Sequence, residues 1–136
     1  MTSRAMGYAH PFVMKWALAL MVGLAGPALA SDSALRGRFY WGHEVRSFQP
    51  CGSKNAYWVL GEDKVLQPLR RRSEKLREQY GKPYRRLYIE AAGVIDTDSA
   101  RDGFAKDYDG LFHLHEVRRV SNVVPKRCAN SGPAHP

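Results

Sequence analysis

Cysteine is scarce in this chain of 136 residues: there are two, Cys51 and Cys128, and they form no CxxC element. No cysteine directly follows the apolar run near the N-terminus, which excludes the acylated anchor of a bacterial lipoprotein. That run, Trp16 to Leu24, is short of the roughly 20 apolar residues that a membrane-spanning helix needs. Ser47, Ser53, Ser73, Ser99 and Ser121 sit in no GxSxG-like elbow. The acid pairs Asp96 with Asp98 and Asp107 with Asp109 lack the spacing and the terminal Glu of an EF-hand, and read as loop solvation. No catalytic constellation is left, so the chain reads as a non-enzyme. Acids are also in deficit: 13 Asp and Glu face 21 Lys and Arg, a net charge of +8.

What is present begins with a targeting pattern. Arg4, His10 and Lys15 make a basic end, the apolar run follows, and Ala28-Leu29-Ala30 is a small-x-small cleavage site. Residues 1–30 therefore read as a cleavable signal peptide, with the mature chain starting at Ser31 and being periplasmic or secreted. Gly23, Gly26 and Pro27 interrupt the apolar stretch, so no integral membrane segment is expected after cleavage. Removing Arg4 and Lys15 leaves 19 basic residues against 13 acids, a mature charge of +6. Such a domain is drawn to anionic lipid headgroups, lipopolysaccharide, acidic glycans or nucleic acid. In an oxidising compartment the even cysteine pair is most economically a disulfide stapling the tail to the second turn; a redox-active thiol or a metal ligand are the other readings.

Residues 31–128 are enough for one compact domain. Gly37 to Gly61 is dense in aromatic and β-branched residues, and Gly42 and Pro50-Cys51-Gly52 cut it into Arg38–Trp41, Val45–Gln49 and Tyr57–Leu60. These read as consecutive antiparallel strands. Gly61-Glu62-Asp63 leads into a helix for which Pro68 suits the first turn and Gly81 with Pro83 the stop. Leu66, Leu69, Leu76 and Tyr80, with Ser73 among them, form its core stripe. Arg70, Arg71, Arg72 and Lys75 crowd the remaining surface; they read either as a solvated face paired with Glu74 and Glu78, or as the contact for an anionic partner.

Arg85–Asp96 is a further strand, alternating Leu87, Ile89, Ala91 and Gly93 against Tyr88, Glu90, Ala92 and Val94, with Gly93 marking a bulge or a bend. Thr97 to Gly110 reads as a surface loop with Phe104 and Tyr108 as anchors or exposed contacts, Leu111–Val120 as the last strand, and residues 129–136 as a flexible tail. The fold class is thus mainly β: a small five-stranded OB-like antiparallel barrel with one α-helix between strands 3 and 4.

Gly37-x-Phe39, Phe48-x-x-Cys51-Gly52, Leu76-x-x-x-Tyr80, a strand ending in Gly93, and Val117-x-x-Val120 ahead of Cys128 together resemble the exported OB-type domain of NlpE-like envelope lipoproteins. The likeness covers most of residues 37–128. It implies a small envelope domain associated with copper homeostasis and surface-sensing stress signalling. The lipobox cysteine and the CxxC of that family's other domain are missing, so the resemblance carries the OB-type domain alone.

Two functions of different class follow. The first is a non-catalytic binding or interaction module of the bacterial envelope, needing no cofactor, whose basic helix (Arg70, Arg71, Arg72, Lys75) meets an anionic envelope component or an envelope protein. The alternative is a copper- or zinc-binding homeostasis protein using His113 and His115, placed at i and i+2 on one strand face, with His43 and Glu44 to complete the site. Tyr40, Trp41, Tyr57 and Trp58 with Arg38 and Arg46 would suit single-stranded nucleic acid, but a small barrel needs those rings in its core and no nucleic acid is expected outside the cytoplasm. Intact-mass analysis of the exported chain should find it starting at Ser31 and two hydrogens lighter than its reduced form; a full-length chain or two free thiols would overturn the targeting and disulfide readings.

Overall fold

The computed structural model describes residues 34–81 and 85–129, together with Met1 and Gly7. Apart from those two residues the expected leader over 1–30 lies outside the described residues, as do the helix-stopping Pro83 and the tail from 130 onward. Five strands, β1 (Ala34–Gly42), β2 (Val45–Pro50), β3 (Tyr57–Gly61), β4 (Leu87–Asp96) and β5 (Gly110–Ser121), close into a barrel in the order β1-β2-β3-β5-β4. Helix α1 (Asp63–Tyr80) lies between β3 and β4, and the single turn α2 (Lys126–Ala129) follows β5. This is the OB-like arrangement, mainly β with one substantial helix. The seams β1–β2, β1–β4, β2–β3 and β4–β5 are antiparallel, whereas β3 and β5 pair in parallel, from Tyr57 opposite Gly110 to Gly61 opposite Leu114. No helix among the described residues is long and apolar enough to cross a membrane.

Alternation along each strand fills the barrel. Phe39, Phe48, Tyr57, Val59, Leu87, Ile89, Ala91, Phe112 and Leu114 point into one cluster, and the Phe48 and Phe112 rings stack with centroids 4.4 Å apart. A side chain at Gly93 would strike the His113 carbonyl and the Phe112 ring, so only glycine lets β4 pass this close to β5. The register slips at this point: Ala92 faces Glu116 but Gly93 faces Leu114, leaving His115 as an extra residue on β5. A second slip, between Glu90 and Ala91, leaves Arg118 as another. Such bulges sharpen the local twist and bend and help so small a sheet to close.

The helix covers one opening of the barrel. Leu66, Leu69 and Leu76 join the interior cluster, and α1 packs against β1 and β5, strands on different sides of the sheet. Two details depart from the sequence reading. Helix α1 begins at Asp63, which places Pro68 in the second turn instead of the first. Its missing N–H leaves the Lys64 carbonyl without a helical partner, and exposure of both residues lets water serve in its place. Tyr80, expected in the core stripe, is 45% exposed because the last turn overruns the barrel; the Arg85 guanidinium covers it, 3.6 Å from the ring centroid. Gly81, at φ 63°, then ends the helix by donating its N–H to the Arg77 carbonyl at 2.9 Å.

The segment between β4 and β5 is more structured than a plain surface loop. It contains the 3₁₀ turn Gly103–Asp107, after which Tyr108 is buried with its ring edge-on to Trp58 at 5.3 Å; Phe104 is exposed. Asp109 is not merely solvated: its carboxylate accepts the Ala56 N–H at 2.8 Å, and its own N–H donates to the Ala56 carbonyl at 2.9 Å. These two bonds clip this segment to the one between β2 and β3.

Cys51 and Cys128 form a disulfide, with Cα atoms 4.4 Å apart and a sequence separation of 77. Cys128 is fully buried, and the Cys51 N–H bonds to the Arg36 carbonyl on β1 at 2.8 Å, so the bridge fastens α2 to the sheet. Closing a loop of that length removes about 4.5 kcal/mol of unfolded-state freedom on the chain-entropy account. Cys51→Ser with Cys128→Ser should lower the denaturant-unfolding free energy by roughly 3 to 5 kcal/mol with the far-UV spectrum of any remaining folded chain unchanged; a loss under about 1 kcal/mol would show that the bridge is incidental.

Candidate anion-binding groove along the helix

Three consecutive residues on a helix are spread over about 200°, so Arg70, Arg71 and Arg72 cannot serve one ligand together. The structure divides them. Arg71 and Arg72 join Lys75 along a groove of about 510 Å³ that runs beside α1 to Asn122 beyond β5. Gln67, Arg71, Lys75 and Gln79, each four residues from the next, form its helical wall, with Pro68 and Leu76 as its apolar part. Arg72 Nε–H donates to Asn122 Oδ1 at 2.7 Å, which holds that guanidinium in place. Arg70 turns the other way, its guanidinium 5.9 Å from the Trp41 ring.

Among the described residues no acid lines the groove. The expected pairing with Glu74 and Glu78 is not formed: among the described residues neither carboxylate comes within 4.0 Å of Arg71 or Lys75. Several acids elsewhere are paired with cations. Lys64 Nζ lies 2.6 Å from Glu62, whose hydrogen bond holds the carboxyl below its usual range and the ammonium above its own. Arg36 meets Glu90 at 3.8 Å and Arg118 meets Glu116 at 3.5 Å. The groove is therefore a place where cations converge without local neutralisation, alongside neutral amide donors that also suit an oxyanion.

Comparison with known proteins finds no matching family model, no matching curated protein and no matching solved structure.

The imidazoles of the sequence reading are arranged differently from the groove. His113 and His115 border a common hollow with Leu60, Gly61 and Glu62, but the strand neighbours of His113 are Leu60 and Val94. His43 and Glu44 occupy the β1–β2 turn, where they lie 3.5 Å from each other. Among the described residues no three His, Cys, Asp or Glu side chains gather as a metal set. His113 Nε2 instead stands 3.7 Å from Asp96 Oδ2.

Asp96 also has a local task that the loop-solvation reading missed. It accepts the Ser99 hydroxyl and the N–H groups of Ser99 and Asp98, both at 3.0 Å, and so ties off the end of β4. These bonds, the Ser99 hydroxyl first, hold its carboxyl at about 2, below the ordinary value of 3.8.

The aromatic set is divided too. Tyr57 is in the barrel core and Tyr40 is buried on the outer face. Trp41 and Trp58 are half-buried and flank Arg46, whose guanidinium is 4.5 and 5.5 Å from their rings. Arg38 donates to Gln49 Oε1 at 2.5 Å, and Gln49 Nε2 donates onward to the Ser53 carbonyl at 2.9 Å. These cations and rings are thus engaged with one another. No serine hydroxyl bonds to a histidine among the described residues; those of Ser53, Ser99 and Ser121 are used within turns, and Ser47 and Ser73 are buried.

The groove residues absent from the sequence reading are Gln67, Gln79 and Asn122. The two glutamines were within reach, since a polar residue every fourth position from 67 to 79 marks one helix face. Asn122, 50 residues from Arg72, carried no such signal. A carboxyl held low adds stability above its unfolded value and loses it as pH falls through the folded one. The thermal midpoint should accordingly drop between about pH 4 and pH 2, and Asp96→Asn should start lower at neutral pH and fall less over that interval. Parallel pH curves for the two proteins would remove Asp96 from the account.

Proposed function

We propose that this chain is a non-catalytic periplasmic or secreted binding module of the bacterial envelope, which holds an anionic group of an envelope component or partner protein in the groove along α1. The observation that carries this reading is the convergence of Arg71, Arg72 and Lys75 on one groove in whose lining, among the described residues, there is no acid. Guanidinium forks match phosphate and carboxylate oxygens in pairs, and a lysine adds a mobile point charge. The Arg72–Asn122 bond fixes one of the forks before any ligand arrives, reducing the ordering that binding must impose. A net charge of +8, or +6 once residues 1–30 are removed, would draw anions toward the whole surface while the groove supplies the address. Two further points support an extracytoplasmic setting: the buried disulfide suits an oxidising compartment, and the strand and cysteine motifs resemble the NlpE-like OB-type domain.

The structure also sharpens the test. Near an anionic surface each basic residue contributes about 1 kcal/mol, so Arg71→Ala, Arg72→Ala and Lys75→Ala combined should weaken binding to phosphatidylglycerol vesicles or to an acidic glycan column roughly a hundredfold at low salt. Arg70→Ala, directed at Trp41, should change it less than about threefold. Retention of the triple variant at the parent's affinity, or equal losses in the two variants, would overturn the assignment of the groove.

A further inference from the structure

A second groove, of about 400 Å³, lies between the first half of α1 and the far part of β5, and it meets the cationic one at Pro68 and Arg72, which line both. Its floor is apolar, made by Val65, Leu69, Val117 and Val120. In an unbroken strand Val117 and Val120 would face opposite sides. The extra residue at Arg118 restores them to the same side, where both pack against the core and line this groove. The charges along its rim are largely spent on each other, Lys64 on Glu62 at 2.6 Å and Glu116 on Arg118 at 3.5 Å. Arg72 differs: its Nε is held by Asn122, and its terminal nitrogens make no hydrogen bond to another described residue.

A strip of valine and leucine next to three converging cations is complementary to a molecule that is apolar at one end and anionic at the other. We propose that the ligand is a single-chain amphiphile with a phosphate head, the phosphate held by Arg71, Arg72 and Lys75 and the alkyl chain lying over Val65, Val117 and Val120. This rests on the cationic groove being the binding site and adds the chemical class of what it holds. Phosphate is favoured over a single carboxylate because its several oxygens and higher charge can satisfy two guanidinium groups and an ammonium at once. One chain fits because the apolar strip runs from Lys64 to Arg72, about 12 Å along the helix axis, within a volume at the small end of ligand sites.

Calorimetric titration of the disulfide-bonded chain with inorganic phosphate and with butyl, hexyl and octyl phosphate, each below its micelle concentration, tests this. Affinity should rise about two- to fourfold for each added methylene, as expected for apolar surface leaving water. Val120→Trp should fill the strip and abolish that gain while leaving inorganic phosphate binding within about twofold. If that variant melts early, Val65→Ser on the helix surface should reduce the gain by at least half. Equal affinity across the series, with binding lost in the Arg71→Ala, Arg72→Ala, Lys75→Ala variant, would overturn the amphiphile and keep the anion groove. A chain-length gain that persists in that triple variant, or no binding of any of the four probes, would overturn both.

Discussion

One seam decides the architecture: β3 and β5 lie side by side and run the same way. Parallel neighbours cannot be joined by a tight hairpin, so the chain has to leave the end of β3, travel back, and return. Helix α1, β4 and the segment carrying Tyr108 make up that return path. Because the helix is part of it, α1 is laid across the barrel opening against β1 and β5, where Leu66, Leu69 and Leu76 complete a core that five short strands would leave open. Both grooves are products of the same constraint, since they form where the outer flank of α1 meets the far end of β5.

The remaining ties act at the other segments. The paired bonds between Ala56 and Asp109 join two connections that are far apart in sequence, and the Cys51–Cys128 bridge pins the last turn to the sheet. The hydrogen bonds by which Asp96 ties off β4 reach no further than three residues along the chain. These polar and covalent links concentrate at strand ends, where a small barrel has little apolar area left to hold its connections in place. The two extra residues of β5 belong with them. They help the sheet close, and one of them sets which side chains floor the apolar groove.

Much of this fold was legible in the sequence because the relevant signals are local. Aromatic and β-branched runs marked the strands, leucines spaced three and seven apart marked the helix face, and their order implied the barrel. The first half of β1 was less visible: Arg36 and Arg38 point outward, and between them Gly37 offers no apolar side chain to reveal the alternation. Its placement is dictated by pairing with β4, a distant partner. The parallel seam, the Asp109 clip and the Arg72–Asn122 contact are non-local in the same way. The basic run was read as one patch because its residues are contiguous in the chain, yet helical rotation sends Arg70 to Trp41 and the others to the groove. Tyr80 shows the converse, matching the period of the buried face but lying past the point where the barrel ends.

The position of the sulfur bridge affects what happens when the backbone is cut. Residues 51 and 128 enclose β3, α1, β4, β5 and the long connection bearing the exposed Phe104. A protease that clips this connection, the usual kind of place for such cleavage, produces two fragments that remain covalently attached and still share one core. Such a chain can take a nick in this connection without shedding half of its barrel, and the helix with its grooves remains tied to the strands that shape them.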